Sequence, residues 1–306
     1  MPSALAEELT GRLRCASCRY ELRGLSVMGE CPECGLPIQA TLLSIVDPKA
    51  EELQPLAHPR LVGAGLVAWI GGAILAALAG WAVWVSGVAP GTLSPSAQQR
   101  LIVAGAVALA LSALGALAIV RPHPGVPRAR LIAAACGVAL YPATIWLYVT
   151  LGRVAALGPE QSLLGAWTGT PEPAPWRARR MVLWLLLAAG GALLRGPLRM
   201  LAARSLVLRA QRVDRQTVTA GVAALLVAAL GDAIGLVAPA WGGGAAGSLV
   251  LVGEVLVLLG AVLMTLGIVG VAIDVYRVLP SVIHRPLARR DVVTPVTPRE
   301  GADAHG

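Results

Sequence analysis

Four of the five cysteines fall into two pairs of one pattern, Cys15-Ala-Ser-Cys18 and, after twelve intervening residues, Cys31-Pro-Glu-Cys34 followed by Gly35. Two Cys-x2-Cys turns place four thiolates where one tetrahedral ion can be held, and the glycine after the last cysteine eases the bend that aims backbone amides at sulfur. Four sulfurs fill the shell of a zinc ion and leave no position for water, so the chemistry is structural and not catalytic. Two disulfides or a redox pair are the other uses of such cysteines; the cytosolic placement argued below and the lack of a thioredoxin-like βαβ pattern speak against both. Between the turns there is room for one small hairpin, with Tyr20-Glu21-Leu22-Arg23-Gly24-Leu25 as its strand and turn. Cys136 stands alone in an apolar stretch and reads as a small core residue.

The second candidate is a pair of carboxylates, Asp232 and Glu254, within apolar segments, where an ionisable group is costly enough to suggest a function. They flank the short connection Gly242 to Gly247, so their helices are antiparallel and the two groups lie at similar depth. Facing each other, they could share a proton, hold a cation or belong to a proton path; otherwise each is neutral or water-bathed near the interface and bonds a backbone carbonyl. Asp274, beside Tyr276 and Arg277, is expected at an interface. There is no His-Glu-x-x-His, no Gly-x-Ser-x-Gly and no phosphate loop, and the four histidines are scattered at segment edges and in the tail, so nothing identifies an enzyme.

The string Cys-x2-Cys-x-Tyr-x-Leu-Arg-Gly-Leu followed by Cys-Pro-Glu-Cys-Gly resembles the N-terminal zinc ribbon that many planctomycete bacterial proteins carry ahead of transmembrane helices. The resemblance covers Cys15 to Gly35, and Arg19 stands where that pattern usually has glycine. It implies a zinc-binding cytoplasmic head on a bacterial inner-membrane protein, and no activity.

The elements that must position these groups follow from composition. Of 306 residues, 56% are hydrophobic and 14% charged; there is no Phe or Asn, and a single Lys, Lys49, accompanies 24 Arg. That is an integral membrane protein, all-α and polytopic. The expected organisation is a small N-terminal zinc ribbon (1–40), a linker (41–60), six transmembrane helices (61–280) and a disordered cytoplasmic tail (281–306). The first sixty residues lack the apolar core of a cleaved signal peptide. Six apolar stretches follow: 61–88, 101–120, 131–151, 181–201, 217–240 and 248–275. A span needs about 20 residues, and only the fourth is in question, because Met181 to Leu194 is all that precedes Arg195-Gly196-Pro197. Charge decides: with six crossings and both termini inside, twenty Lys and Arg fall on the cytoplasmic side and five outside, whereas a non-crossing fourth stretch puts most of them outside.

Trp81, Trp84, Trp146, Tyr148, Trp176, Trp184 and Trp241 lie near outer ends of their spans and Tyr276 near an inner end, as interfacial belts do. Arg180 and Arg195 would snorkel toward opposite interfaces to lengthen the fourth span. Glycines at heptad spacing (Gly253, Gly260, Gly267; Gly65, Gly72) and the pair Gly231 and Gly235 suit close helix packing. The arginines from 195 to 215 do not segregate to one helix face and lack interleaved aromatics, so attraction to anionic lipid accounts for them better than nucleic acid does. Two functional readings result. One is a binding, regulatory or scaffolding protein whose ribbon docks a cytosolic partner while lipids surround the helices. The other is a small transporter or channel-like carrier using Asp232 and Glu254, which the scarcity of polar residues in the spans disfavours.

Overall fold

The computed structural model describes residues 9, 12–15, 17–39, 41, 56–88, 91–123, 126–155, 173–203 and 217–283. The chain divides into two units, Met1–Gln54 and Pro55–Gly306. The division falls inside the stretch read as a linker; most of that stretch, the connection 156–172, the arginines from 204 to 215 and the tail from 284 onward lie outside the described residues.

The first unit is built from one local structure used twice. Cys15 and Tyr20 close a turn through Cys15 N–H to Tyr20 C=O (2.8 Å), Arg19 N–H donates to Cys15 C=O (3.0 Å) and Leu22 N–H to Leu13 C=O (2.7 Å). Sixteen residues on, Cys31 N–H donates to Leu36 C=O (2.8 Å), Gly35 N–H to Cys31 C=O (2.8 Å) and Ile38 N–H to Gly29 C=O (3.0 Å). Each turn is framed by a single antiparallel bridge, Arg14 with Glu21 and Glu30 with Pro37. The expected hairpin between the two pairs is thus absent from the described residues; each cysteine pair forms its own minimal hairpin instead. Burial repeats as well: Leu22 and Ile38 are fully buried, as are Cys15 and Cys31, with Leu9, Leu13, Leu25 and Leu36 packed around them. The residue after each second cysteine is left-handed, φ 64° at Arg19 and 67° at Gly35.

The second unit is helical: α1 (Pro59–Val88), α2 (Pro95–Ile119), α3 (Arg128–Ala139), α4 (Tyr141–Ala155), α5 (Ala174–Ala203), α6 (Thr217–Val237) and α7 (Gly243–Ile283). α3 and α4 form one span, interrupted at Leu140 because Pro142 offers no amide to the preceding turn and disfavours helical geometry just before it. Six segments are therefore long and apolar enough to cross a membrane. Ser94 caps α2 by accepting from the Ala97 amide (3.3 Å). A 3-10 turn, Ala238–Trp241, and left-handed Gly242 (φ 64°) reverse the chain between α6 and α7.

The fourth span, short by hydropathy, is a helix of 30 residues that continues through buried Pro197. At about 1.5 Å per residue it reaches about 45 Å. Around the bundle the helices follow the order α2, α1, α7, α6, α5, then α3 with α4, which closes back onto α2. Two seams rest on glycine. A Cβ on Gly253 would lie 2.6 Å from the Gly231 carbonyl oxygen and one on Gly260 2.6 Å from that of Ala224, which fixes α7 backbone-to-backbone on α6. Gly65, Gly72 and Gly115 do the same for α1 and α2. At one end, Val62, Leu66, Ile119, Met200, Leu201, Val275, Val278 and Val282 form the largest apolar cluster.

Two expectations for side chains fail. Cys136 is exposed on the outside of the bundle and is not a core residue, since Ala134 and Gly137 occupy the face of α3 that packs inward. Trp146, Trp241 and Tyr276 do face outward, at 62%, 70% and 79% exposure, but Trp81, Trp84, Tyr148, Trp176 and Trp184 line the interior. Position along a span sets depth and leaves the facing direction open, which is why a belt was expected where an aromatic interior stands.

Candidate functional site

The Cys-x2-Cys turns bring all four sulfurs within 4.8 Å of one another. Across the two turns, Cys15 Sγ lies 3.5 Å from Cys34 Sγ and Cys18 Sγ 3.5 Å from Cys31 Sγ. Those separations are far beyond the roughly 2.05 Å of a disulfide and close to the edge, about 3.8 Å, of a tetrahedron with metal–sulfur bonds of about 2.3 Å. Cys15 and Cys31 are buried and Cys18 and Cys34 exposed, so a metal held here has one wall of Leu22 and Ile38 and one side toward solvent.

The surroundings favour a thiolate at Cys15. The Cys15 thiol is drawn down to about 6, chiefly by the backbone N–H of Cys18, with the Ser17 amide and the Cys34 and Cys18 thiols assisting against burial. Cys18 moves up to about 12: the Tyr20 amide lowers it, but partial desolvation by the neighbouring chain and the thiols of Cys34, Cys31 and Cys15 outweigh that. The Cys15 thiolate forms readily and Cys18 then resists ionising, so a compensating cation is what would let both ionise together. The residues fit a four-coordinate metal that prefers sulfur, and the full shell leaves it no open position.

The intramembrane pair is arranged differently from either expectation. Asp232 and Glu254 are buried on α6 and α7, at 1% and 3% exposure, and each meets an arginine of α5. Arg180 grips Asp232 through Nη2 to Oδ1 (2.7 Å) and Nε to both carboxylate oxygens (3.1 Å each), while Trp184 Nε1 donates to Oδ2 at 3.1 Å. Arg177 Nη2 donates to Glu254 Oε1 at 3.1 Å. Arg177, Arg180 and Trp184 recur at helical spacing and share one face of α5. Arg177 reaches α7 by passing Gly235 of α6, where any Cβ would collide with its Nη1. Gly235 is therefore the gap through which the Arg177–Glu254 ion pair is made.

Two corrections follow. Arg180 does not snorkel to an interface; it turns inward. The carboxylates have no need to share a proton or to bond a backbone carbonyl, because each has its own guanidinium. Sequence reasoning missed Arg177 and Arg180 by counting them as loop charges ahead of the fourth span. Their i, i+3 spacing opposite two acids of similar depth was the available signal. Compared with known protein families, curated proteins and solved structures, the chain matches none.

Proposed function

We propose that the four cysteines hold a structural zinc in a cytoplasmic head, and that this membrane protein acts by docking a cytosolic partner through that head. The observation that carries the reading is the closed, duplicated thiolate site: its geometry suits a filled sulfur shell, and a domain this small gains most of its stability from its metal. The resemblance of Cys15 to Gly35 to bacterial ribbon heads supports zinc and an inner-membrane location. The excess of arginine on one side of the spans supports cytoplasmic termini. Among the outer arginines, Arg177 and Arg180 are members of the bundle and not loop charges, which sharpens that asymmetry.

The carrier reading is weakened, since the carboxylates of Asp232 and Glu254 are each already paired with an arginine. Tyr20 and Met28, both exposed on the head, are the apolar positions a partner would cover. The test is purification of the chain with bound metal counted, alongside a Tyr20→Ser, Met28→Ser chain. The reading expects about one zinc in both and a stoichiometric cytosolic protein retained only by the first. A head without metal, or with metal but the same companions in both chains, overturns it.

A further inference from the structure

Between α1, α2, α4, α5 and α7 lies a half-open pocket of about 280 Å³. A second, of about 160 Å³, continues it toward Trp69 and Tyr141. Ala73, Thr144, Leu187, Met264 and Ile268 line both, so the two form one crevice along the bundle. A cavity of about 150 Å³ accommodates a benzene ring, which scales the larger chamber to about a dozen carbon atoms and the smaller to about half that.

The wide chamber has an aromatic, hydrogen-bonding end. Trp81 Nε1 donates to Thr265 Oγ1 (2.9 Å) and Trp184 Nε1 to Asp232. Trp84 Nε1 and Trp176 Nε1, both buried against the same chamber, find no acceptor among the described residues. A buried indole N–H without an acceptor costs about 1 to 3 kcal/mol, and four tryptophans around one void are otherwise poor core design. Arg180 also borders the chamber, but its charge is matched by Asp232, as that of Arg177 is by Glu254. This wall offers donors and no uncompensated cation.

We propose that the crevice binds one amphiphile, whose long apolar body fills it and whose uncharged acceptor head, a carbonyl or ester, receives the Trp176 and Trp84 indole N–H groups. The site is independent of the cysteine head, so its failure leaves the docking reading intact, and the reverse.

The probe is the methyl ester of dibrominated stearic acid, whose bromines quench tryptophan on contact. It is added to the full chain in detergent with Trp146, Trp167 and Trp241 replaced by leucine. The five remaining tryptophans, Trp69, Trp81, Trp84, Trp176 and Trp184, all line the crevice. Expected is saturable quenching at about one equivalent, weakened about tenfold by Ala73→Phe, which fills the neck shared by the chambers. Trp176→Phe should weaken the ester about fivefold yet leave a dibromoalkane of equal length unaffected, the signature of one lost hydrogen bond. Quenching that rises linearly with the probe's mole fraction and ignores Ala73→Phe overturns the site. Tighter binding of the free carboxylate than of its ester overturns the neutral head. Thermal unfolding of the Ala73→Phe chain is read in parallel, and if that chain does not fold, the Trp176→Phe comparison decides alone.

Discussion

Asp232 shows how much one side chain carries. Its carboxylate accepts four hydrogen bonds, three from Arg180 and one from Trp184, in a region that no water should reach easily. Asp232→Asn leaves a buried guanidinium without its charge partner, and the expected cost is about 3 to 5 kcal/mol of stability. Asp232→Asn combined with Arg180→Met should recover much of that loss, since the uncompensated charge goes with the arginine. Thermal unfolding in detergent reads both; equal losses in the single and double variants would refute the pairing. Arg19 is the opposite case, a side chain carried on a strained backbone. Its φ of 64° is the left-handed region that Gly35 fills without cost in the sister turn. Arg19→Gly should stabilise the head by about 1 kcal/mol, measured as a shift in its unfolding midpoint. At this scale the cysteines were legible because a ligand set is a matter of type and spacing. Arg177, Trp84 and Trp176 were not, because which way a side chain faces depends on helix rotation.

Helices pack here on what they lack. Along α6 and α7, Gly231, Gly253 and Gly260 let carbonyls of one helix touch the backbone of the other, in a setting where lipid gives no hydrophobic reason for helices to associate. Gly253→Ala places a methyl 2.6 Å from the Gly231 oxygen and should destabilise by about 1 to 3 kcal/mol. Gly71→Ala, with nothing within 4 Å of its Cβ, should be neutral or mildly stabilising. Comparable thermal shifts in the two would show that the seam is not limited by glycine. Heptad glycines and span count were readable, since both are one-dimensional periodicities. The true extent of α5 was not: its first turn carries charges that only pairing with α6 and α7 brings inside, and its last continues through Pro197, which packing outweighs.

Taken whole, the chain is two units, a cysteine-centred head and a helix bundle, and the proposed metal would give their stabilities different origins. A chelator should therefore abolish head protection in hydrogen exchange while leaving the unfolding temperature of the bundle unchanged; a bundle that melts earlier on chelation would contradict this. Reporter fusions should find both chain ends on one face of the membrane, the outcome that the arginine distribution requires. Two turns of similar geometry bring the four cysteines of the head together, and only one of them does so from a strained backbone. Letting go should then have an order. If a metal is held across these two turns, the pair Cys15 and Cys18 beside the strained Arg19 would let go of it more readily than Cys31 and Cys34 beside Gly35, so a competing thiol should find its first opening on the Arg19 side.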